Sequence, residues 1–170
     1  APERMKEGDY VRLERLLDEF DVEVTSISGH VSLIRKSNVP GVEKTHSSEE
    51  ILKLWKNRID LAARLGATVV NNSAGELETK EDYDSFYRYM RMIEDYCSGK
   101  GVKVALEIHG SMTGRKFRPI MEELRSKWIG VNYDTANTRY YHDIEAENDI
   151  ENVMDWIFNI HLKDQIGGKG

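Results

Sequence analysis

Apolar positions along the chain alternate between two periods, and the alternation is regular. From Pro2 to Phe20, Val11, Leu13, Leu16, Leu17 and Phe20 recur at three- and four-residue spacing, which predicts a helix. Residues 22–30, VEVTSISGH, are short and β-branched and predict a strand. A loop follows, broken by Pro40 and Gly41. Residues 46–66 return to helical spacing, with Ser47 or Ser48 as cap, Glu50 supporting it and Gly66 as the stop. Residues 67–75, ATVVNNSAG, predict a strand running into a loop. The unit then repeats: a helix over 80–101 closed by Gly99 or Gly101, a strand over 102–110, a short helix over 117–126, and a strand and loop over 128–137. A helix over 146–156, a strand over 157–164 and a loop over 165–170 complete it.

Five strands separated by helices imply parallel pairing through right-handed crossovers. Two architectures satisfy this, a doubly wound open sheet and a (β/α)8 barrel. The first strand is not followed by Gly-x-Gly-x-x-Gly, and no Gly-x-x-x-x-Gly-Lys-Ser/Thr occurs anywhere.

The two faces of the later strands decide between the architectures. In VKVALEIH (102–109), Val102, Val104, Leu106 and Ile108 share one face; Lys103, Ala105, Glu107 and His109 share the other. Gly130, Asn132 and Asp134 oppose Val131 and Tyr133, and Asn159, His161 and Lys163 oppose Phe158, Ile160 and Leu162. A doubly wound sheet is covered on both sides and its strands are apolar on both faces. These strands have one apolar face and one that becomes charged toward the C-terminal end. That is the pattern of a barrel, which packs helices outside and builds its site at the C-terminal rim.

Glu107, Asp134 and His161 occupy corresponding rim positions, 27 residues apart in each step. Two carboxylates and an imidazole converging in a low-dielectric mouth repel or take up protons unless a cation compensates them. The donor set suits one divalent ion, Mn, Mg, Co or Zn. The other reading is that each residue merely caps or salt-bridges a strand end.

The bulk properties narrow the field. The chain has 170 residues, a net charge of −6, 32% charged and 39% hydrophobic residues, which suits a soluble globular domain. The acidic balance argues against nucleic-acid binding, and no apolar run approaches the ~20 residues that span a bilayer. With one cysteine, Cys97, and no apolar N-terminal segment, a cytoplasmic location is expected. Cys97 reads as an ordinary helix residue, and Trp55, Trp128 and Trp156 as packing residues. The acidic run DIEAENDIE (143–151) reads as a solvated helix start.

LEIHG with Glu107, VNYDTAN with Asp134 and Asn137, and NIHLKD with His161, Lys163 and Asp164 together resemble the xylose isomerase-like TIM barrels. That family includes sugar-phosphate isomerases and epimerases, ketose 3-epimerases and inosose dehydratases. LAARLGATVV adds to the likeness, which runs through nearly the whole chain. The resemblance implies that Glu107, Asp134 and His161 hold the metal. It also implies a single domain over 1–170, an incomplete barrel carrying the third to seventh strands and truncated at both ends. The family's fourth ligand, a second Glu, has no counterpart. Apurinic endonuclease relatives carry extra zinc-binding histidines. Here NNSAG (71–75) has none, and Asn137 stands where another would be, so His30 is the one candidate left.

The implied chemistry is proton transfer beside a sugar carbonyl through an enediolate. Glu107 is the candidate acid/base, and His30, His109 and Lys163 are candidates for binding substrate; their other readings are a loop histidine for His30, hydrogen bonding to its neighbours for His109, and pairing with Asp164 or barrel-rim groups for Lys163. Asn137 is a further substrate-binding candidate, with bracing of the loop after Asp134 as its other reading. Tyr140, Tyr141 and His142 read equally as a sugar-pocket wall or an exposed loop. The expected partner is a small carbohydrate, with no nucleic acid and no membrane. A homo-oligomer, or barrel segments from a longer chain, would complete the structure. The alternatives are a dehydratase on the same scaffold and an inactive fragment that binds a sugar or a partner chain.

Overall fold

A computed structural model of the chain describes residues 4–34 and 48–164. Pro2, the 35–47 loop with Pro40, Gly41 and the proposed cap Ser47, and the 165–170 tail lie outside the described residues. The elements are α1 (Glu7–Glu19), β1 (Ser26–Ile34), α2 (Ser48–Arg64), β2 (Val69–Gly75), α3 (Lys80–Lys100), β3 (Lys103–Glu107), α4 (Gly114–Leu124), β4 (Ile129–Asp134), α5 (Asn137–His142) and β5 (Ile157–His161). The five strands form one parallel sheet in the order β1-β2-β3-β4-β5.

The sheet is curled. Asn71 Nδ2 on β2 lies 3.4 Å from His161 Nε2 on β5. Three strand spacings in a flat sheet would put these strands about 14 Å apart. Only an arc, with its polar face on the concave side, brings the two side chains together. The fold is thus a half-barrel of five strands, an incomplete TIM barrel, as the strand faces predicted.

The convex face carries the core. Val104, Leu106, Ile108, Val131 and Tyr133 are fully buried, and α2, α3 and α4 contribute Trp55, Ile59, Phe86, Met90, Ile93, Phe117 and Ile120. Trp55 also donates its indole N–H to Val31 O, so this tryptophan packs as expected. α2 ends where Gly66 adopts φ +76° and Ala67 N donates to Ala62 O. α3 starts on a reciprocal Thr79–Asp82 capping box.

Several elements depart from the sequence pattern. The first strand begins at Ser26 rather than residue 22, and it is bulged. Ser28 pairs with Asn71 and Ser32 with Ser73, so residues 29–31 of β1 run beside Asn72 alone. Asn72 fills the bulge, where its Oδ1 accepts from Val31 N. A Cβ on Gly29 would lie 1.8 Å from that same oxygen, so any side chain there would displace the Asn72 amide from the bulge.

Residues 146–156 form three single 3₁₀ turns, not an α-helix. Asp149, read as solvated, is 2% exposed, and its carboxylate accepts from Gly114 N and Arg115 N. It therefore ties these turns to the first turn of α4, whose own N-cap is Thr113. Residues 137–142, to which the sequence pattern assigns no helix, form the short helix α5. α1 is amphipathic yet buries no residue. It is moored by Glu7 and Glu14 to Arg64 of α2.

One strand face is also corrected. The β4–β5 register slips between Val131 and Asn132. Phe158 consequently sits under Lys103, whose ammonium lies 4.4 Å from the ring centroid, and against Gly130, where a Cβ would meet the ring at 2.6 Å. Phe158 belongs to the concave face, not with Ile160 and Leu162. Cys97 is fully buried; burial, with a smaller effect of Glu94, pushes its thiol up to about 12. That leaves it protonated and unreactive.

Candidate metal centre

β4 and β5 deliver the first two groups side by side. Asp134 pairs directly with His161, whereas Glu107 pairs with Asn132, one concave-face step lower. The longer glutamate reaches across that step. Glu107 Oε1 lies 3.4 Å and Asp134 Oδ2 3.5 Å from His161 Nδ1. Among the described residues this is a group whose three ligand atoms all fall within 4.8 Å of one another. Its separations exceed those of strong charge-assisted hydrogen bonds.

Asp134 is fully buried. Its Oδ1 accepts from Ala136 N and Asn137 N, both at 3.1 Å, an Asx turn that ends β4 and starts α5. Its Oδ2 accepts no backbone hydrogen bond and is faced by Lys163 Nζ, an ion pair at 2.5 Å. The carboxylate raises the Lys163 pKa above the usual lysine range, against the opposing effect of burial.

His161 is held from below. Asn132 Nδ2 lies 3.2 Å from His161 Nδ1, and Asn132 Oδ1 accepts from Asn159 Nδ2 at 2.8 Å. Asn71 approaches the other ring nitrogen. These three concave-face asparagines form an amide layer beneath the triad. The alternation placed Asn132 and Asn159 on this face. It gave no sign that Asn71 reaches His161, because that contact needs the curl.

The remaining candidates divide. His109 lies beside the triad's mouth, where its Nε2 is 3.0 Å from Tyr141 Oη and the two rings meet edge-on. Burial chiefly, then Tyr140 and Glu107, raises the Tyr141 pKa, so this phenol shares the triad's electrostatic neighbourhood. Asn137 Nδ2 donates to Ile108 O at 2.8 Å, tying the end of β3 to α5. His142 Nε2, 2.8 Å from Gly110 O, does the same one turn on. His30 lies on β1, and its side chain is outside the described residues. No described helix is long and apolar enough to cross a membrane.

Two carboxylate oxygens, one of them buried, and an imidazole nitrogen within 4.8 Å of one another are the donor set of a divalent ion, so the residues present fit such a group. The profile of the xylose isomerase-like TIM barrel family matches residues 2–170, and the chain belongs to that family. A sequence comparison with curated proteins gives no match. Among solved structures, the chain is similar to a xylose isomerase domain protein from Planctomyces limnophilus, with TM-score 0.79, 19% identity, 96% of this chain and 62% of that one covered. It is similar to a D-tagatose 3-epimerase-like protein, with TM-score 0.75, 17% identity and coverages of 96% and 64%. A third is a xylose isomerase-like TIM barrel protein from Mycobacterium smegmatis in complex with magnesium, with TM-score 0.74, 18% identity and coverages of 94% and 57%. Further matches carry the names of sugar epimerases and of one probable dehydratase. The chain thus spans less than two thirds of these structures' length.

Proposed function

We propose that the protein is a divalent-metal-dependent isomerase or epimerase of sugars or sugar phosphates. Glu107, Asp134 and His161 would be its ligands within this chain. The observation that carries the reading is the meeting of these three side chains from three adjacent strands at the sheet's C-terminal edge. A divalent ion bound there supplies polarisation of a sugar carbonyl, which acidifies the neighbouring C–H.

Glu107 acts as acid/base. A carboxylate has two oxygens, so it can hold an ion with one and take the carbon-bound proton with the other. Its side chain is 20% exposed, which leaves it open to substrate from the mouth. His109 and Tyr141 offer a nitrogen and a hydroxyl beside it, suited to sugar hydroxyls, and Tyr140 adds an aromatic wall. The opposite-face proton transfer calls for a second acid/base, which we place in barrel strands beyond these five. The names of the matched epimerases support sugar chemistry. The dehydratase reading uses the same groups and differs only in expelling water.

The test is metal content by mass spectrometry together with product analysis on ketoses, aldoses and inososes. The folded chain is expected to retain one divalent ion, which Glu107→Ala and His161→Ala lose, and, joined to the strands that supply the second acid/base, to equilibrate a ketose with its epimer or aldose. A dehydrated product selects the lyase. A folded protein that takes up no divalent ion overturns the metal site.

A further inference from the structure

The position of Lys163 carries an inference that rests on the metal-site reading and goes beyond it. Asp134 has only one oxygen to offer, because both donors of its own turn are fixed on Oδ1. The remaining Oδ2 is buried, and Lys163 Nζ is in contact with it at 2.5 Å. A cation that used Asp134 as ligand would need that same oxygen. Two positive charges in contact with one oxygen repel each other strongly in a low-dielectric mouth.

The lysine is built to move away. Its backbone is fixed: Lys163 N donates to Thr135 Oγ1 at 2.9 Å, Thr135 Oγ1 donates to Lys163 O at 2.7 Å, and Thr135 N donates to His161 O. Its side chain is 51% exposed, so the anchored base carries an arm with access to solvent. Glu107 and Tyr141 are its other electrostatic neighbours, both at the mouth. The charge count points the same way. Two carboxylates against one ammonium leave the site negative, which attracts a divalent cation. With that cation bound and Lys163 still nearby, the site is net positive and suits an anionic oxygen.

We propose that Lys163 is a tethered counter-cation that holds Asp134 Oδ2 while the site lacks its metal and is displaced into the mouth when a divalent cation binds. Metal loading and presentation of the ammonium to substrate are then one event, and substrate binds after the metal.

The experiment titrates Mn²⁺ into the metal-free protein by calorimetry, in wild type, Lys163→Met and Asp134→Asn. In parallel, acylation of Lys163 by an amine-reactive reagent is followed by peptide mass spectrometry, with and without Mn²⁺. Lys163→Met, which removes the competitor at a half-exposed position, is expected to bind Mn²⁺ about tenfold more tightly. Lys163 in wild type is expected to label several-fold faster once Mn²⁺ is bound. Asp134→Asn should lose the metal and label fast without it. If wild type binds Mn²⁺ but Lys163→Met binds it no more tightly and labelling does not change, Lys163 is a static ion pair; the counter-cation proposal fails and the metal site stands. If neither wild type nor Lys163→Met binds Mn²⁺, the metal site itself fails and takes this proposal with it.

Discussion

β4 and β5 each end in a residue of the triad, yet they are built differently. Every residue of β4 is buried, with Ile129, Val131 and Tyr133 locked under α4 and the turns around Asp149. β5 has no buried residue; Ile160 is 51% exposed and Leu162, just beyond it, 86%. Asp134 is therefore set by a packed core, and His161 by whatever reaches it from the concave side. The amide layer of Asn71, Asn132 and Asn159 supplies that support. The site joins a rigid ligand to a more weakly held one, so the concave polar layer, not the convex core, sets the alignment of the imidazole.

The largest effect that would break this comparison is in the core. Leu106→Ala empties a fully buried position on the central strand β3 and is expected to cost about 2–5 kcal/mol of unfolding free energy. Ile160→Ala on the exposed face of β5 should cost under about 0.5 kcal/mol. Urea denaturation of both variants checks the contrast, and equal losses would mean that β5 is as firmly packed as the centre.

Next comes the amide layer. Asn132→Ala removes the fully buried amide that faces His161 and accepts from Asn159, and should weaken Mn²⁺ binding about 10–100-fold while costing about 1–3 kcal/mol of unfolding free energy. Asn159→Ala, one bond further away, should weaken it less. Calorimetry orders the two. An Asn132→Ala protein with unaltered affinity would show that β5 positions His161 unaided.

Much of this was legible in the chain and some was not, for identifiable reasons. The two-faced strands announced the barrel, and the repeat distance announced the triad, because side chains alternate across a strand with a fixed period of two. Phe158 escaped because a register slip between strands reverses a face without leaving a mark in either sequence. The turns at 146–156 escaped because the buried partners of Asp149, the Gly114 and Arg115 amides at the start of α4, lie far away along the chain. α1 shows the limit of periodicity. The spacing of Val11, Leu16 and Phe20 identifies an apolar face, but these side chains are 54%, 40% and 68% exposed, because period alone does not supply a partner. The contacts of Asn71 and Lys163 depend on the curl and on the Thr135 anchor, which are tertiary facts.

The smallest effect concerns α1, held at the periphery by charge instead of packing. Arg64 lowers the pKa of both Glu7 and Glu14 below the ordinary glutamate value of 4.5, through direct hydrogen bonds first and charge second. A depressed carboxylate pKa contributes stability that is complete above the unfolded value and is lost as pH falls through the folded one. The mooring of α1 should therefore hold at neutral pH, persist through 4.5, and release only below it. Because these carboxylates are at the surface, the release should be local and sensitive to salt. Hydrogen exchange in the α1 amides is expected to rise below pH 4.5 while the β3 and β4 amides stay protected, and Arg64→Gln should produce the same α1 exchange at pH 7. If α1 and β4 lost protection together, the helix would be part of the cooperative core, and the division between a packed centre and a charge-held periphery would be wrong.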